Sequence, residues 1–485
     1  MSILVVDVGT SSVRTAVVRP DGRLDAVVRR PMPPSSPAPG LVEFDAAALA
    51  RAVLEAAQAS LAEAGPVEAV GVANQRATTV VWDRRSGQPV APAIGWQDLR
   101  TVGTCLALRE QGIRVGPSES ATKLAAILDA VDPDRHADLC FGTIDSWVAW
   151  TLSAGQLHVT DATNAAVSGL LTPDASGFDG TVLEALRIPP GVLPRIVDSS
   201  GALGPAAALP GAPPLAGLVG DQQASLVGQG CLRPGTAKAT FGTGAMLDCC
   251  VGPDRPAFAR LGPQGTVPIV AWRRQGQDTW GVEAVLLTAG ACVSWLVEDL
   301  GLLPDPAAAD QVAAQCPDSG DLWFVPALFG LATPRWDYGA RGLLLGITRG
   351  TGRPQVVRAV LEGVAHAGAD LLEAAEADSG LRVPELRVDG AMAANGTFLQ
   401  ALADSIGRPV AVAAELEATT QGAAFLAGLA VGTWADAQDL EACARPARLV
   451  EPRLSEAQRS ERRARWLAAR ARAEATVPEL SALEF

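Results

Sequence analysis

The sequence predicts an α/β protein built from two similar halves, and three observations support this fold class. The chain opens with a β-rich run over residues 3–7 that leads into the turn Gly9-Thr10, and a comparable run over 236–241 leads into Gly242-Thr243-Gly244. Short apolar runs alternate with Ala-rich helical patterns along both parts. The 485 residues leave room for two large domains. We therefore expect an N-terminal domain over 1–228 and a C-terminal domain over 229–485.

The first elements can be placed individually. Two apolar runs around a Gly/Thr/Ser turn predict a β-hairpin over residues 3–18. Asp45 has the character of a helix N-cap, and the Ala-rich pattern after it predicts a helix to about residue 64. Runs at 67–73 and 78–82 predict buried strands. Near the end of the chain, the Arg-, Glu- and Ala-rich stretch 455–473 predicts an amphipathic helix whose charged side is a solvated surface.

Composition narrows the classes of function. The chain has 39 basic and 53 acidic residues, a formal charge of −14, with 48% apolar and 19% charged residues. This is globular composition, and the negative charge argues against non-specific binding of nucleic acid or anionic membranes. Only Lys123 and Lys238 are lysines, so arginine carries nearly all the positive charge. The N-terminus shows no targeting segment, no apolar run is long enough to span a membrane, and the eight cysteines have no C-x-x-C spacing; we expect a reduced, cytoplasmic protein.

Common phosphate-binding and catalytic motifs are missing from the sequence. It contains no P-loop, no G-x-S-x-G elbow and no dinucleotide fingerprint after the first strand. The first Gly-Thr turn offers another way to hold phosphate, through backbone N–H groups, hydroxyl donors and a guanidinium. An ordinary hairpin with a polar turn explains this segment equally well. The second Gly-Thr turn favours the phosphate interpretation, because two bends facing one cleft could hold a nucleotide from both sides.

Asp221 follows the apolar run 215–219 and precedes a helical stretch, in Gly220-Asp221-Gln222-Gln223. A carboxylate at such a position is often just an N-cap. It can also serve as a general base that accepts a proton from an attacking hydroxyl. The two interpretations are compatible.

Many blocks of the chain, in order and at consistent spacing, resemble the FGGY carbohydrate kinases, especially their glycerol kinase branch. They include Asp7-Val8-Gly9-Thr10-Ser11-Ser12, Asn74-Gln75-Arg76, Trp96-Gln97, Gly142-Thr143-Ile144-Asp145-Ser146-Trp147, Gly220-Asp221-Gln222-Gln223-Ala224, Phe241-Gly242-Thr243-Gly244 and Trp336-Asp337-Tyr338-Gly339-Ala340-Arg341-Gly342. The resemblance implies two actin/hexokinase-like (ribonuclease H-like) domains around a central cleft. It implies ATP and Mg²⁺ as cofactors, a small polyol or sugar as the acceptor of a phosphoryl group, and compatibility with a homo-oligomer.

The resemblance also assigns site residues. Nucleotide contacts fall on Thr10, Ser11, Ser12, Arg14, Thr243, Gly290, Ser294, Ala391 and Asn395, where Ala391 replaces a usual glycine and Ser294 a usual glutamine. The acceptor positions are Arg76, Ala77, Trp96, Ser118, Asp221, Gln222 and Met246, with Asp221 as the base. Asp7, from its place after the first strand, and Asp221 are the candidate Mg²⁺ ligands.

Three acceptor positions depart from the glycerol kinase pattern. Ala77 stands in place of a glutamate, Ser118 in place of an aromatic hydroxyl and Met246 in place of a phenylalanine. The loss of a hydroxyl-accepting carboxylate and the smaller side chains predict a wider pocket, for a four- or five-carbon polyol or ketose. Compensation by other residues would leave glycerol as the substrate.

Two alternative functions remain. One is a pentulose kinase such as xylulokinase, although Asn74-Gln75-Arg76 and Trp96-Gln97 follow the glycerol branch. The other is an actin-like nucleotide-binding protein without kinase activity. A protein of that class does not require the combination of Arg76, Trp96 and Asp221-Gln222. The presence of these residues therefore favours a kinase over an actin-like protein.

Overall fold

A computed structural model of the protein describes residues 2–414 and 417–482. The strands are β1 (Ile3–Val8), β2 (Ser12–Val18), β3 (Leu24–Pro31), β4 (Glu43–Phe44), β5 (Ala69–Asn74), β6 (Val80–Asp83), β7 (Ala93–Ile94), β8 (Leu139–Gly142), β9 (Val159–Asp161), β10 (Arg195–Val197), β11 (Ser200–Pro205), β12 (Pro214–Gly220), β13 (Ala237–Phe241), β14 (Ala245–Gly252), β15 (Val267–Arg274), β16 (Gln277–Leu286), β17 (Trp323–Val325), β18 (Leu343–Leu345), β19 (Leu386–Asp389), β20 (Val410–Ala413) and β21 (Pro446–Val450).

The helices are α1 (Ala46–Ala64), α2 (Val102–Glu110), α3 (Ala121–Val131), α4 (Ile144–Leu152), α5 (Ala162–Ala166), α6 (Gly180–Ala185), α7 (Asp221–Gly228), α8 (Gly290–Glu298), α9 (Ala308–Ala313), α10 (Arg353–Ser379), α11 (Gly396–Ile406), α12 (Ala418–Val431), α13 (Ala437–Cys443), α14 (Glu456–Ala473) and α15 (Pro478–Ser481). Short 3₁₀ turns occupy Pro190–Val192 and Ala391–Ala394.

One 13-stranded sheet runs through the molecule, in the order β21-β20-β19-β13-β14-β16-β15-β11-β12-β5-β1-β2-β3. The order β3-β2-β1-β5-β12 in the first half matches β16-β14-β13-β19-β20 in the second. In both, the first three strands are antiparallel and the last two are parallel to the first. The predicted α/β fold with two similar halves is therefore confirmed. β15 is an addition in the second half that pairs antiparallel with β16. Its pairing with β11, at Arg274 and Ser200, joins the two parts of the sheet.

The first strand is apolar because both of its faces are covered. Leu4, Val6 and Val8 pack in one core with α1, whereas Ile3 and Val5 pack in another with α12. A strand covered on both sides must be continuously apolar. The predicted hairpin and helix are both present: β1 pairs antiparallel with β2, and Asp45 caps α1 by accepting a hydrogen bond from the Ala48 amide.

Two helices cross at the centre of the molecule, one from each half. A β-carbon on Gly422 of α12 would lie 1.8 Å from the carbonyl oxygen of Ala224 in α7, and one on Gly228 would lie 1.9 Å from that of Ala418. α12 also presses on the first-half sheet, where a β-carbon on Gly71 would meet the Ala423 oxygen at 2.5 Å. Only glycine permits such approaches. This crossing fixes α7, and thus Asp221 at its start, against both halves.

The helix predicted near the end of the chain is confirmed, but its description as a solvated surface is incomplete. α14 buries Trp466 and Arg470. The Arg470 guanidinium lies 2.8 Å from Asp370 of α10, and Arg463 pairs with the same carboxylate. Some of the charged residues of α14 therefore belong to a buried ion-pair cluster. Composition alone does not distinguish such a cluster from a solvent-exposed charged face.

All eight cysteines are free thiols, and seven of them are buried. Among the helices of residues 2–414 and 417–482, none combines the length and apolar character that crossing a bilayer requires.

The substitution Gly422→Ala tests the helix crossing. Its methyl group would collide with the Ala224 carbonyl, so we expect a loss of about 2 kcal/mol or more in the free energy of unfolding, measured by denaturant titration. Gly180→Ala is the control, because nothing lies within 4 Å of a β-carbon there. Equal stability of the two variants would contradict the close crossing.

Candidate active site

The first Gly-Thr bend lies at the carboxyl end of β1, where Asp7 is buried. Arg14, opposite Asp7 in the hairpin, places its Nη1 3.5 Å from the Asp7 Oδ2 and also pairs with Glu417 of the second half. Thr420 at the start of α12 donates to Asp7 at 3.4 Å. Burial raises the pKa of Asp7 to about 6, and the charge of nearby Asp221 adds to the rise.

Hydroxyl groups of this bend lie at its accessible side. The Gly9 amide closes the turn on the Ser12 carbonyl oxygen at 3.0 Å. The Thr10 hydroxyl accepts a hydrogen bond from the indole Nε1 of Trp96 at 3.4 Å, and Ser11 is exposed. The first bend therefore touches the residue predicted to line the acceptor site.

The second bend occupies the same position in the second half. The Gly290 amide, which begins α8, donates to the Gly242 carbonyl at 2.8 Å, and Ala291 donates to Thr243 at 3.0 Å. A β-carbon on Gly290 would lie 2.6 Å from the Gly242 oxygen, so the position requires glycine. Gly390, with φ of 88°, packs on the backbone of the strand that leads into this bend.

The remaining predicted nucleotide residues lie on the segments that converge here. Ser294 is half-buried one turn into α8, and Ala391 is exposed at the start of the 3₁₀ turn. The Asn395 side chain caps α11, accepting from the Phe398 amide at 2.8 Å. The structure thus brings these positions to the carboxyl edge of the second-half sheet; their nucleotide contacts stay predictions.

Asp221 is the first residue of α7, after the N-cap residue Gly220. Its carboxylate accepts from the adjacent Gln222 amide at 2.8 Å, and its side chain is 31% exposed. Burial raises the pKa of Asp221, whereas the Arg76 guanidinium, whose Nε lies 3.6 Å from Oδ1, opposes the rise. Asp221 is therefore not the cap of α7, and it keeps an accessible carboxylate beside a cation.

Glu283 is a site residue that sequence analysis missed. It lies on β16 of the second half, and its Oε2 is 2.7 Å from the Arg76 Nη2. Burial raises the pKa of Glu283 to about 7, although Arg76 opposes the rise. The available signal was an acidic residue in the middle of the apolar run 281–286. Arg76 is consequently held by carboxylates from both halves.

Trp96, Ser118 and Ala77 form the next part of the wall. The Lys123 ammonium donates to the carbonyl oxygens of Trp96 at 3.0 Å and Ser118 at 3.2 Å. Ser120 donates to the Ala77 carbonyl at 2.9 Å. Ser118 itself is exposed, and Ala77 has a left-handed backbone, with φ of 60°. Three predicted acceptor-site segments are thus tied together.

Gln222 and Met246 lie on the second-half side of this wall. The Gln222 Oε1 accepts from the Lys238 ammonium at 2.6 Å. Met246 is half-buried on β14, two residues before the buried Asp248. Gln222 projects from α7 to Lys238 of β13, and Met246 is on the second-half sheet itself.

A buried hydrogen-bond network supports the acceptor side from behind. Asn74 and Asn164 exchange hydrogen bonds at 2.8 and 3.1 Å. The Thr163 hydroxyl accepts from the Gly220 amide at 2.8 Å. Because Asn74 precedes Gln75-Arg76 and Gly220 precedes Asp221, the network fixes the backbone that positions Arg76 and Asp221.

The comparisons with known proteins match this architecture. A model of the FGGY family of carbohydrate kinases, N-terminal domain, matches residues 2–228, and the model of the family's C-terminal domain matches 237–431. The chain is 41% identical to the glycerol kinase of Aromatoleum aromaticum, covering 96% of this chain and 97% of that one. It is 42% identical to the glycerol kinase of Dechloromonas aromatica, with 96% of each covered.

Solved structures agree. The Plasmodium falciparum glycerol kinase with ADP aligns with a TM-score of 0.90 at 26% identity, over 97% of this chain and 98% of that one. A xylulose kinase from Rhodospirillum rubrum aligns with a TM-score of 0.83 at 22% identity, over 97% and 98%, which indicates the shared fold.

Asp145 belongs to the same buried network, because it accepts a hydrogen bond from the Asp161 amide at 3.0 Å and Asp161 accepts one from the Asn164 side chain at 2.8 Å. Burial raises the pKa of Asp145 to about 7, and neighbouring Asp161 adds to the rise. A group whose pKa is higher in the folded than in the unfolded state stabilises the fold at low pH and loses that effect as pH rises through the folded value. We expect Asp145→Asn to flatten the decline in the free energy of unfolding between the ordinary aspartate pKa of 3.8 and the folded value of about 7.

The measurement is a set of denaturant titrations across this pH range on both proteins. Buried acids elsewhere act equally in both proteins, so the difference between the two slopes reports on Asp145 together with its neighbour Asp161. Parallel pH profiles would contradict the assignment.

Proposed function

The chain belongs to the FGGY family of carbohydrate kinases, and we propose that it transfers the γ-phosphoryl group of ATP to a hydroxyl of a four- or five-carbon polyol or ketose. The observation that carries the proposal is the position of Arg76 between Asp221 of its own half and Glu283 of the other, at 3.6 and 2.7 Å. It supports an acceptor site in which one carboxylate is accessible to a bound alcohol.

Asp221 is the general base of this proposal. The carboxylate is partly exposed and makes few protein hydrogen bonds, so it has free lone pairs for a hydroxyl proton. Its raised pKa makes it a better proton acceptor than a fully solvated aspartate. The proton passes from the attacking oxygen to Asp221 as the new bond to the γ-phosphorus forms and the bond from that phosphorus to the ADP oxygen breaks.

The two Gly-Thr bends would hold the nucleotide phosphates. Phosphoryl transfer depends mainly on alignment and charge neutralisation, and both bends present backbone N–H groups and hydroxyls at the edge of the sheet. Arg14 is the cation of the first bend, where it already neutralises Asp7 and Glu417. Thr243 would contact the nucleotide phosphates from the second bend.

Asp7 and Asp221 fit a Mg²⁺ site. Burial is the main cause of the raised pKa of about 6 for Asp7, and the charge of Asp221 adds to the rise, so a divalent cation would favour the charged carboxylate. The described residues hold no cluster of three or more metal-binding side chains, which suits an ion that takes one or two carboxylates together with phosphate oxygens and water. When bound, Mg²⁺ neutralises charge on the transferred phosphate.

The acceptor class follows from the wall of the site. Ala77 offers a methyl group where the glycerol kinase pattern has a carboxylate, and exposed Ser118 replaces an aromatic side chain. Both changes remove contacts to a small triol and leave room for a longer one. Glycerol is the second candidate, favoured by the glycerol kinases with which this chain shares about two fifths of its residues.

The free cysteines support a cytoplasmic location.

Asp221→Asn tests the base. We expect the turnover number to fall about 10²- to 10⁴-fold, because asparagine cannot accept the proton, while ATP affinity stays unchanged. Coupled ADP release measures the first quantity and calorimetric titration the second. Asp254→Asn, on an exposed loop, is the control. Unaltered turnover in Asp221→Asn would remove Asp221 from the mechanism.

A screen of acceptors tests the pocket. Glycerol, erythritol, xylulose and ribulose are compared by kcat/KM with ATP in excess, and we expect a four- or five-carbon acceptor to exceed glycerol. In Ala77→Glu the restored carboxylate should raise the glycerol value by about tenfold or more. The strained backbone at position 77 already carries a β-carbon, so glutamate adds little strain.

Glycerol winning by a large margin in the unmodified enzyme would reject the wider pocket and leave glycerol kinase as the function. Turnover of none of the four would reject the proposed acceptor class.

A further inference from the structure

The chain contains two lysines among 39 basic residues, and both are completely buried at the walls of the candidate site. Lys123 ties Trp96 to Ser118. Lys238 lies on β13, opposite Asp248 of β14, and Asp248 is in turn opposite Glu283 of β16. The sequence uses arginine almost everywhere for positive charge, so the two buried lysines call for a structural reason.

The Lys238 ammonium has three N–H donors and meets three oxygen atoms. It donates hydrogen bonds to Gln222 Oε1 at 2.6 Å and Thr240 Oγ1 at 3.1 Å, and it forms an ion pair with Asp248 Oδ2 at 2.7 Å. A compact ammonium satisfies this arrangement, whereas a planar guanidinium with five donors does not. Asp248 supplies the opposite charge that a buried cation requires.

This contact fixes which end of the Gln222 amide faces inward. Lysine has donors and no acceptor, so the amide oxygen must point to Lys238 and the NH₂ group must point away. Within residues 2–414 and 417–482, the Gln222 Nε2 forms no hydrogen bond, and the side chain is half-buried beside Asp221. The free NH₂ donors are therefore presented next to the proposed base.

We propose that Lys238 is a positioning residue that orients Gln222 as a hydrogen-bond donor to an acceptor hydroxyl, with Asp248 as its charge partner. The inference rests on the proposed function, because it says how Gln222, one of the predicted acceptor positions, is oriented by a residue of the second half. Lys238 does not touch the substrate. It excludes the flipped amide, in which the amide oxygen would face the acceptor hydroxyl.

The test removes the buried pair as a unit. Lys238→Met alone would leave Asp248 as an unpaired buried charge, whereas Lys238→Met with Asp248→Leu replaces both by apolar side chains of similar size, a change that buried ion pairs often tolerate. We expect the KM for the best acceptor to rise about tenfold, the KM for ATP to stay within about twofold, and kcat to change little, as for loss of one neutral hydrogen bond.

A second variant asks whether Lys238 acts through Gln222. Gln222→Ala should raise the acceptor KM by a similar factor, and adding the Lys238/Asp248 changes to it should raise the KM no further. Arg358→Met with Glu362→Leu removes a 2.8 Å ion pair in α10 and is the matched control, expected to keep wild-type kinetics. Thermal unfolding of every variant checks folding.

Should the Lys238/Asp248 variant fail to fold, Gln222→Glu carries the test. Glutamate keeps an oxygen for Lys238 but has no NH₂ donor, so the acceptor KM should rise in the same way. An unchanged acceptor KM in either variant, or additive effects in the combination, would overturn the proposal while the wild-type enzyme still turns over its acceptor. A wild-type enzyme that phosphorylates no acceptor would instead reject the proposed function.

Discussion

The site depends on one largely buried guanidinium, that of Arg76, whose side chain is 14% exposed. Arg76 leaves β5 of the first half and lies between Asp221, 3.6 Å away on its own side, and Glu283, 2.7 Å away on the other. A buried cation without such partners would be strongly unfavourable, so the two halves must come together for Arg76 to hold its position. The same requirement places the Asp221 carboxylate at the boundary between the halves, where an alcohol and a nucleotide can both reach it.

A buried hydrogen-bond network and a close helix crossing restrict the backbone that carries Arg76. The network of Asn74, Asn164 and Thr163 holds the ends of β5 and β12, from which Arg76 and Asp221 emerge. The tight crossing of α7 and α12, permitted by Gly228 and Gly422, holds the start of α7 against both sheets. Polar groups that would be costly inside an apolar core are satisfied here by one another, and their geometry is correspondingly fixed.

Local patterns predicted much of this structure. The sequence predicted the hairpin over 3–18, the helix after Asp45 and the repeated Gly-Thr bend. Such features can be predicted because turn chemistry, helix capping and periodicity act over a few residues. The role of Glu283 could not be predicted, because it depends on Arg76, which lies about two hundred residues earlier in the sequence. The strand that carries Glu283 has the apolar pattern of a core strand. The role of Lys238 was hidden for the same reason: composition shows that lysine is rare, while only the fold shows three oxygens around its ammonium.

The most direct test is a crystal structure of the protein with a non-hydrolysable ATP analogue and the acceptor selected by the screen. The account requires a substrate hydroxyl within hydrogen-bond distance of an Asp221 oxygen, contacts from Arg76, and the terminal phosphate between the bends that carry Thr10 and Thr243. An acceptor bound away from Asp221, or phosphates that touch neither bend, would contradict it.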